Sequence, residues 1–142
     1  MREAIEWANL AAAQGEVPVG CVITRGAEVV GRGHNLRESG KNALFHAELR
    51  AIEDACRRLG GWRLWECSLY VTLEPCPMCT GAAMGARITD IWYGARDPKN
   101  GACGSVADLT AMSFTHRPAV HGGLLEEECA TLLRNFFRRL RD

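Results

Sequence analysis

The sequence predicts a three-layer α/β domain with helices on both faces of a mixed sheet. Two β-rich runs near the amino terminus are joined by a tight turn, helical and strand-like segments alternate after them, and the chain ends in a strongly amphipathic helical pattern. A hairpin supplies antiparallel strands and helix–strand alternation supplies parallel ones, so both kinds of pairing are expected in one sheet. The 142 residues are expected to form a single domain, 1–142, because a chain of this length buries about 68–70% of its unfolded surface.

The first half of the chain predicts a helix, a hairpin and a second helix. The first helix covers residues 3–14 and ends at Gly15. The segment VGCVITRGAEVVGRGHN predicts two strands joined at Arg25 and Gly26, because this dipeptide separates two β-rich runs. From about Ala47, apolar residues recur at helical spacing until the glycines at 60 and 61. These residues are Ala51, Ile52, Ala55, Cys56 and Leu59.

The second half predicts two strands and two helices. CSLYVTL predicts a strand, EPCPMC follows it and opens a short helix, and DIWYGA predicts the next strand. The segment from 97 to 123 is rich in Gly, Pro and Asn and predicts no regular element. The last helix has acids in its first turn and arginines near its end, as the helix dipole favours. Its apolar stripe consists of Leu125, Cys129, Leu132, Leu133, Phe136, Phe137 and Leu140.

Composition and charge are those of an ordinary globular protein. Hydrophobic residues make up 47% and charged residues 24%, and the net charge is zero. This balance neither requires nor excludes a nucleic-acid partner, since only a local basic patch would matter. No apolar run approaches the about 20 residues that span a bilayer. Acids among the apolar residues of MREAIEWANL argue against a secretory signal, so we expect a cytoplasmic protein.

Two of the seven cysteines, Cys76 and Cys79, have the spacing of metal ligands. An odd number of cysteines in an intracellular chain argues against a disulfide framework. Pro77 suits the first position of a helix, where its missing N–H has no cost. The two sulfurs then lie on one helical face, and the positive end of the helix favours thiolates. Zinc is the metal typical of such ligands, although a buried structural pair or a thioredoxin-like redox motif would have the same spacing.

A third ligand must come from elsewhere, and His46 is the candidate. The chain has four histidines, at positions 34, 46, 116 and 121. Only His46 stands in an HAE motif, with Glu48 two residues on at the opening of a helix. H-x-E followed by P-C-x-x-C is the signature of zinc-dependent nucleobase deaminases, so we expect one Zn²⁺ per chain.

Three protein ligands and a carboxylate predict hydrolytic chemistry. A zinc ion with three protein ligands keeps its fourth tetrahedral position for water. Glu48 would take the proton of that water as an amino-bearing ring carbon is attacked, and would then protonate the ring nitrogen and the departing ammonia. A fourth protein ligand, for which Cys103 or His34 would have to fold back, would instead make a closed structural site in a non-catalytic binding domain.

Longer motifs resemble the bacterial tRNA-specific adenosine deaminase branch of the cytidine deaminase-like superfamily. They include GEVPVGCVI at 15–23, HNLRE at 34–38, LYVTLEPCPMCTGA at 69–82, YGARDPKNGACGS at 93–105 and LLEEECATLLRNFFR at 124–138. The resemblance implies deamination of adenosine to inosine at the wobble position of a tRNA anticodon. It also implies a five-stranded sheet between helices and a homodimer. A deaminase of a free nucleobase or nucleoside, of guanine or cytosine type, is the alternative on the same fold.

The resemblance also implies roles for individual residues. His46, Cys76 and Cys79 match the zinc ligands of the family, and Glu48 matches its proton shuttle. Asn35 matches the residue that contacts the target base. From the residues alone, an asparagine at this position could equally cap the hairpin.

Other matches lie in the substrate-facing loops and in the last helix. Asp97 and Lys99 match the loop that approaches the RNA backbone. The C-terminal helix matches an element beside the anticodon loop, although the apolar stripe places Phe136 and Phe137 in the core and its arginines could be a solvated face. Phe45 departs from the family, where a small residue commonly precedes HAE. Its ring could narrow the base pocket, stack on the base or pack inward.

Overall fold

A computed structural model describes residues 1–142 and contains four α-helices and five β-strands. In chain order the elements are α1 (Arg2–Ala13), β1 (Gly20–Arg25), β2 (Glu28–His34), α2 (Ala47–Leu59), β3 (Cys67–Leu73), α3 (Pro77–Gly85), β4 (Asp90–Ala95), β5 (Ala119–His121) and α4 (Glu126–Arg141). A single 3-10 turn, Leu109–Ala111, precedes β5. None of the helices combines the length and the apolar character that crossing a membrane requires.

The five strands form one mixed sheet in the order β2-β1-β3-β4-β5. β1 pairs antiparallel with β2 and with β3, whereas β3, β4 and β5 pair in parallel. The predicted mixed sheet is therefore confirmed. The expectation of no regular element between 97 and 123 was wrong, because β5 lies there. This strand pairs only along Asp90 to Trp92, and three residues at a sheet edge are too short to produce a strand pattern in the sequence.

Helices cover both faces of the sheet, which confirms the three-layer arrangement. α2 packs against β2 and β1 on one face, with α3 beside it. α1 packs against β1 and α4 against β4 on the other face. A Cβ at Gly31 would collide with the backbone carbonyl of Ala51 in α2. The missing side chain thus lets α2 lie directly on the strand.

The main core lies between the sheet and the layer formed by α2 and α3. Ile23, Leu69 and Ile91, on three adjacent strands, are almost completely buried there. The opposite layer is thinner toward the carboxyl terminus. In α4 only Cys129 and Phe136 are buried, and these lie two turns apart on one face. Phe137 is 42% exposed, so its predicted place in the core was wrong. The apolar stripe is wider than the face that contacts the sheet.

Candidate active site

Two helix starts meet at one place on the sheet and carry the predicted metal ligands. His46 and Cys76 are the residues immediately before α2 and α3, and both have extended backbone conformations. Their carbonyls accept the first helical hydrogen bonds, from Arg50 and Thr80. Pro77 occupies the first turn of α3, as predicted. Because α2 and α3 are neighbours, residues that are thirty positions apart in sequence come into contact.

The donor atoms of His46, Cys76 and Cys79 have the spacing of a tetrahedral metal site. His46 Nδ1 lies 3.7 Å from Cys76 Sγ and 3.5 Å from Cys79 Sγ. All three donor atoms lie within 4.8 Å of one another. Zinc–nitrogen and zinc–sulfur bonds at a tetrahedral angle place nitrogen and sulfur about 3.6 Å apart. The trio therefore fits a single metal ion of this size and geometry.

The protonation of one ligand in the trio, Cys76, also favours a cation. The Cys79 side chain, together with His46, stabilises the Cys76 thiolate by hydrogen bonding, and the pKa of Cys76 falls to about 4 in spite of partial burial. The hydrogen bond to Cys76 and burial raise the pKa of the Cys79 thiol. One of the two sulfurs is therefore already a thiolate at neutral pH, which is the form that binds metals.

Glu48 places a carboxyl group beside this trio. The residue lies in the first turn of α2 and is only 4% exposed. Burial is the main reason why the pKa of Glu48 rises to about 7, and the nearby Cys76 adds to the shift. A carboxyl group in this range can both accept and release a proton near neutral pH. It is not itself one of the clustered metal donors.

A cleft of about 420 Å³ opens above these groups. Its floor contains His46, Glu48 and Cys76. Its walls come from the segment before β1, the loop after β2, the first residue of α2, the end of β3 with the start of α3, the loop after β4 and the last helix. They comprise Val17, Val19, Asn35, Arg37, Ala47, Leu73, Glu74, Pro77, Asp97, Asn100 and Phe137. Residues from six separate stretches of sequence therefore form one concave surface.

The structure brings Asn35 and Asp97 to the cleft. The Asn35 amide donates to the carbonyl of Val17 at 3.2 Å and accepts from the N–H of Arg37 at 3.1 Å. Asn35 thus both faces the cleft and fixes the chain around it. The Asp97 carboxylate accepts hydrogen bonds from the N–H groups of Lys99 and Asn100, which closes a tight turn at the rim.

Two predicted substrate contacts lie outside the cleft. Lys99 is exposed, and Asn100 lines the cleft in its place. The Phe45 ring does not line the cleft either. It packs against Gly40, and the Arg50 guanidinium lies 4.6 Å from the ring centroid. Of the three possibilities for Phe45, packing away from the base site is the one that the structure shows.

Two buried glutamates around the cleft were not predicted from the sequence. Glu16 accepts hydrogen bonds from the N–H groups of Glu38, at 3.0 Å, and Ser39, at 2.6 Å. Glu74 accepts four hydrogen bonds from the loop after β4, described below. Burial alone would raise the pKa of each carboxyl group, but these hydrogen bonds outweigh it and lower both pKa values. An acidic residue directly after a strand, as in LEPC, was the one available signal for Glu74.

Neither candidate for a fourth protein ligand joins the trio. Cys103 lies beside the Thr80 hydroxyl at 3.4 Å. His34 stacks on the Trp7 ring, with centroids 5.6 Å apart. The metal-binding group of the structure contains only His46, Cys76 and Cys79, so the geometry does not support a closed four-ligand site.

Comparison with known proteins places this site in a family. The model of the MafB19-like deaminase family matches residues 1–141. The chain is 47% identical to a tRNA-specific adenosine deaminase of Bacillus subtilis strain 168, over 99% of this chain and 88% of that protein. It is also 40% identical, with a TM-score of 0.91, to a structure solved in a study of A-to-I editing by tRNA:A34 deaminases at the wobble position of transfer RNA. That alignment covers 94% of this chain and 97% of the other.

A more distant likeness concerns the fold alone. The guanine deaminase from Nitrosomonas europaea superposes with a TM-score of 0.78 over 95% of this chain and 81% of its own, at 22% identity. The five-stranded sheet and its flanking helices are thus shared with an enzyme that acts on a free base.

Proposed function

Since the chain belongs to the MafB19-like deaminase family and, within it, to the tRNA-specific adenosine deaminases, we propose that it converts adenosine to inosine at the wobble position of a tRNA anticodon. Its similarity to these enzymes runs along nearly the whole chain, so the chain is a hydrolytic deaminase. One observation in the structure carries the proposal: the buried Glu48 carboxyl group lies beside a His–Cys–Cys trio at the floor of an open cleft.

His46, Cys76 and Cys79 would hold one Zn²⁺ per chain. The fit of their spacing to a tetrahedral ion and the low pKa of Cys76 support this assignment. When bound, zinc lowers the pKa of a coordinated water to near neutrality and so supplies the nucleophile for hydrolysis. The arrangement of donors resembles catalytic zinc sites, in which three protein ligands are the rule.

Glu48 would move the protons of the reaction. In its ionised form it accepts a proton from the attacking water as a new C–O bond forms at C6 of adenine. It passes this proton to the ring nitrogen N1, then takes the second proton from the new hydroxyl group on C6 and gives it to the exocyclic amine, whose C–N bond breaks to release ammonia. Water and adenosine thus become inosine and ammonia without an external acid or base. Burial keeps Glu48 close to these atoms and raises its pKa into the range where both transfers are possible.

The cleft suits an adenosine presented by a single-stranded loop. Its volume of about 420 Å³ lies within the range of small-molecule pockets, about 300–1,000 Å³. A base in an anticodon loop needs little unstacking to enter it. Asn35 would contact the base edge, and Asp97 and Lys99 would approach the RNA backbone at the rim. Arg37 is the cation that lines the cleft itself, and it could contact a flanking phosphate.

The decisive experiment compares substrates and one matched pair of proteins. Zinc-loaded protein is incubated with an anticodon stem-loop that carries adenosine at the wobble position, with its cytidine counterpart, and with free guanine, cytosine and adenosine. We expect inosine from the first substrate alone. Glu48→Gln, which preserves the shape of the side chain, should retain one zinc per chain and lose activity by at least about 10²–10⁴-fold.

Three outcomes would overturn the proposal in different ways. Turnover of a free base, with no inosine in the stem-loop, would show that the chain is a nucleobase deaminase. A Glu48→Gln protein as active as the wild type would remove the proposed proton shuttle. Bound zinc with no turnover of any substrate would indicate the non-catalytic binding domain.

We also propose that the protein forms a homodimer through a surface on the α3 side. This surface comprises the groove lined by Met84, Arg87, Leu109, Phe114 and His116, together with the exposed Trp62, Trp65 and Met112. Exposed apolar groups of this kind commonly mark a protein interface. Phe114→Ser should convert a dimer to a monomer in light scattering. Phe137→Ser, an equally polar change on the opposite layer, should leave the mass unchanged. A wild-type monomer would refute the proposal.

A further inference from the structure

We propose that Glu74 is a positioning residue that holds the loop of residues 96–107 against the cleft and thereby sets the position of Asp97 and Asn100 relative to the metal ligands. This inference rests on the proposed function of the cleft. It concerns a carboxylate that carries out no proton transfer itself. The evidence lies in how the loop is built around this one side chain.

Glu74 connects three structural parts at one point. It directly follows β3, and its N–H donates to the carbonyl of Ala95 at 2.8 Å, which extends the pairing of β3 with β4 by one residue. Cys76 follows two residues later and precedes α3. The Glu74 side chain contacts the loop that follows β4. One residue therefore adjoins the strand, the metal-ligand helix and the loop.

The loop closes around the Glu74 carboxylate. Its Oε1 accepts from the N–H of Asp97 at 3.2 Å and from the Ser105 hydroxyl, and its Oε2 accepts from the N–H groups of Cys103, at 3.1 Å, and Ser105, at 3.0 Å. Glu74 itself is 2% exposed. Gly101 leaves the space that the carboxylate occupies, since a Cβ there would collide with it. The hydrogen bonds thus join residues 97 to 105 to the strand end.

These contacts continue to the rim of the cleft. Glu74 accepts a hydrogen bond from the N–H of Asp97, and the Asp97 carboxylate in turn accepts hydrogen bonds from the N–H groups of Lys99 and Asn100. Asp97 and Asn100 line the cleft together with Cys76 and Pro77. Loosening Glu74 should therefore displace one wall while the floor stays in place. Because that wall binds the substrate rather than the reacting atoms, the expected defect is in KM.

Four variants test this inference. Glu74→Gln keeps the shape of the side chain but replaces one acceptor oxygen with a donor. Ser105→Ala removes one hydrogen bond, and Gly101→Ala pushes on the carboxylate from the loop side. Gly61→Ala is the control, because a Cβ at Gly61 meets nothing within 4 Å. For each protein, zinc content, kcat and KM for the stem-loop, and amide hydrogen exchange of residues 97–106 are measured.

We expect the first three variants to keep one zinc per chain and a kcat within about twofold of wild type, while KM rises about 10- to 100-fold. Hydrogen exchange of residues 97–106 should accelerate, and that of α3 should not. If Glu74→Gln fails to fold, the results for Ser105→Ala and Gly101→Ala test the inference in its place. KM and exchange equal to those of Gly61→Ala would overturn the inference, and so would a loss of zinc and kcat at unchanged KM. An inactive wild type would refute the proposed function, whereas unchanged exchange in the variants refutes only the role of Glu74.

Discussion

Replacing Glu16 with glutamine should destabilise the protein, although Glu16 is not one of the predicted site residues. Glu16 is 1% exposed and accepts hydrogen bonds from the N–H groups of Glu38 and Ser39. These belong to the loop that carries Arg37 to the cleft. Glutamine keeps one acceptor oxygen and turns an amide N–H₂ toward a backbone donor, so that donor loses its hydrogen-bond partner in the protein.

The magnitude follows from the lost hydrogen bond. A hydrogen bond to a charged group contributes about 1.5–3 kcal/mol. We therefore expect a loss of about 2–3 kcal/mol in the free energy of unfolding at pH 7, with a decrease in Tm of about 6–12 °C.

The loss should depend on pH. Burial alone would raise the pKa of Glu16, but its hydrogen bonds with Ser39 and Glu38 outweigh burial and hold the pKa below its ordinary value of 4.5. The folded protein thus keeps the carboxylate ionised to lower pH than the unfolded chain does. Its contribution is complete above pH 4.5 and disappears as the pH falls through the folded-state pKa.

Thermal and urea denaturation of wild type, Glu16→Gln and Glu6→Gln test this reasoning across that pH range. Glu6 lies on α1, is exposed, and its side chain makes no hydrogen bond, so its variant reports the loss of charge alone. The difference between wild type and Glu16→Gln should be largest at pH 7 and shrink in acid. Equal stability at pH 7, or a difference that stays constant down to the lowest pH at which the wild type folds, would refute the reasoning.

Three further predictions concern the metal, the last helix and Phe45. Cys79→Ser should reduce zinc below one per chain and lower Tm, as measured by metal analysis and calorimetry, and full zinc occupancy would contradict the ligand assignment. Gly94→Ala should cost about 1–3 kcal/mol in urea denaturation, because a new Cβ would collide with Cys129 and push α4 off the sheet; unchanged stability would show that α4 adapts. Phe45→Ala should change KM for the stem-loop by less than about threefold, since its ring packs under Arg50 outside the cleft, and a tenfold change would place it in the substrate site.

Much of the fold was predictable because its signals are local. The β3 and β4 boundaries and the start of α2 follow from runs of apolar residues and from glycine stops, which act within a few residues of the chain. The position of Pro77 depends on helix geometry in the same way. β5 was not predicted because its three residues form a strand only through pairing with β4 and have no sequence pattern of their own.

The metal-ligand trio and Glu48 were also predictable, since each motif stands at a helix start and its residue types fit one kind of chemistry. The walls of the cleft were not. Phe137 and Phe136 are adjacent in an apolar stripe, yet only the packing of α4 shows which of the two is exposed. Phe45 directly precedes His46, yet its ring packs against Gly40 and Arg50 and not in the cleft.

The sequence by itself predicted which side chains could bind a metal and move a proton, because that prediction depends on the residue types and on their spacing at two helix starts. Tertiary structure alone decided which side chains surround them. Glu74 accepts hydrogen bonds from residues between 97 and 105, and Glu16 accepts them from residues 38 and 39. These partners are too far apart in sequence for a periodic pattern to link them. A buried carboxylate needs hydrogen-bond donors or opposite charges beside it, and for Glu16 and Glu74 only the folded chain brings the donors together.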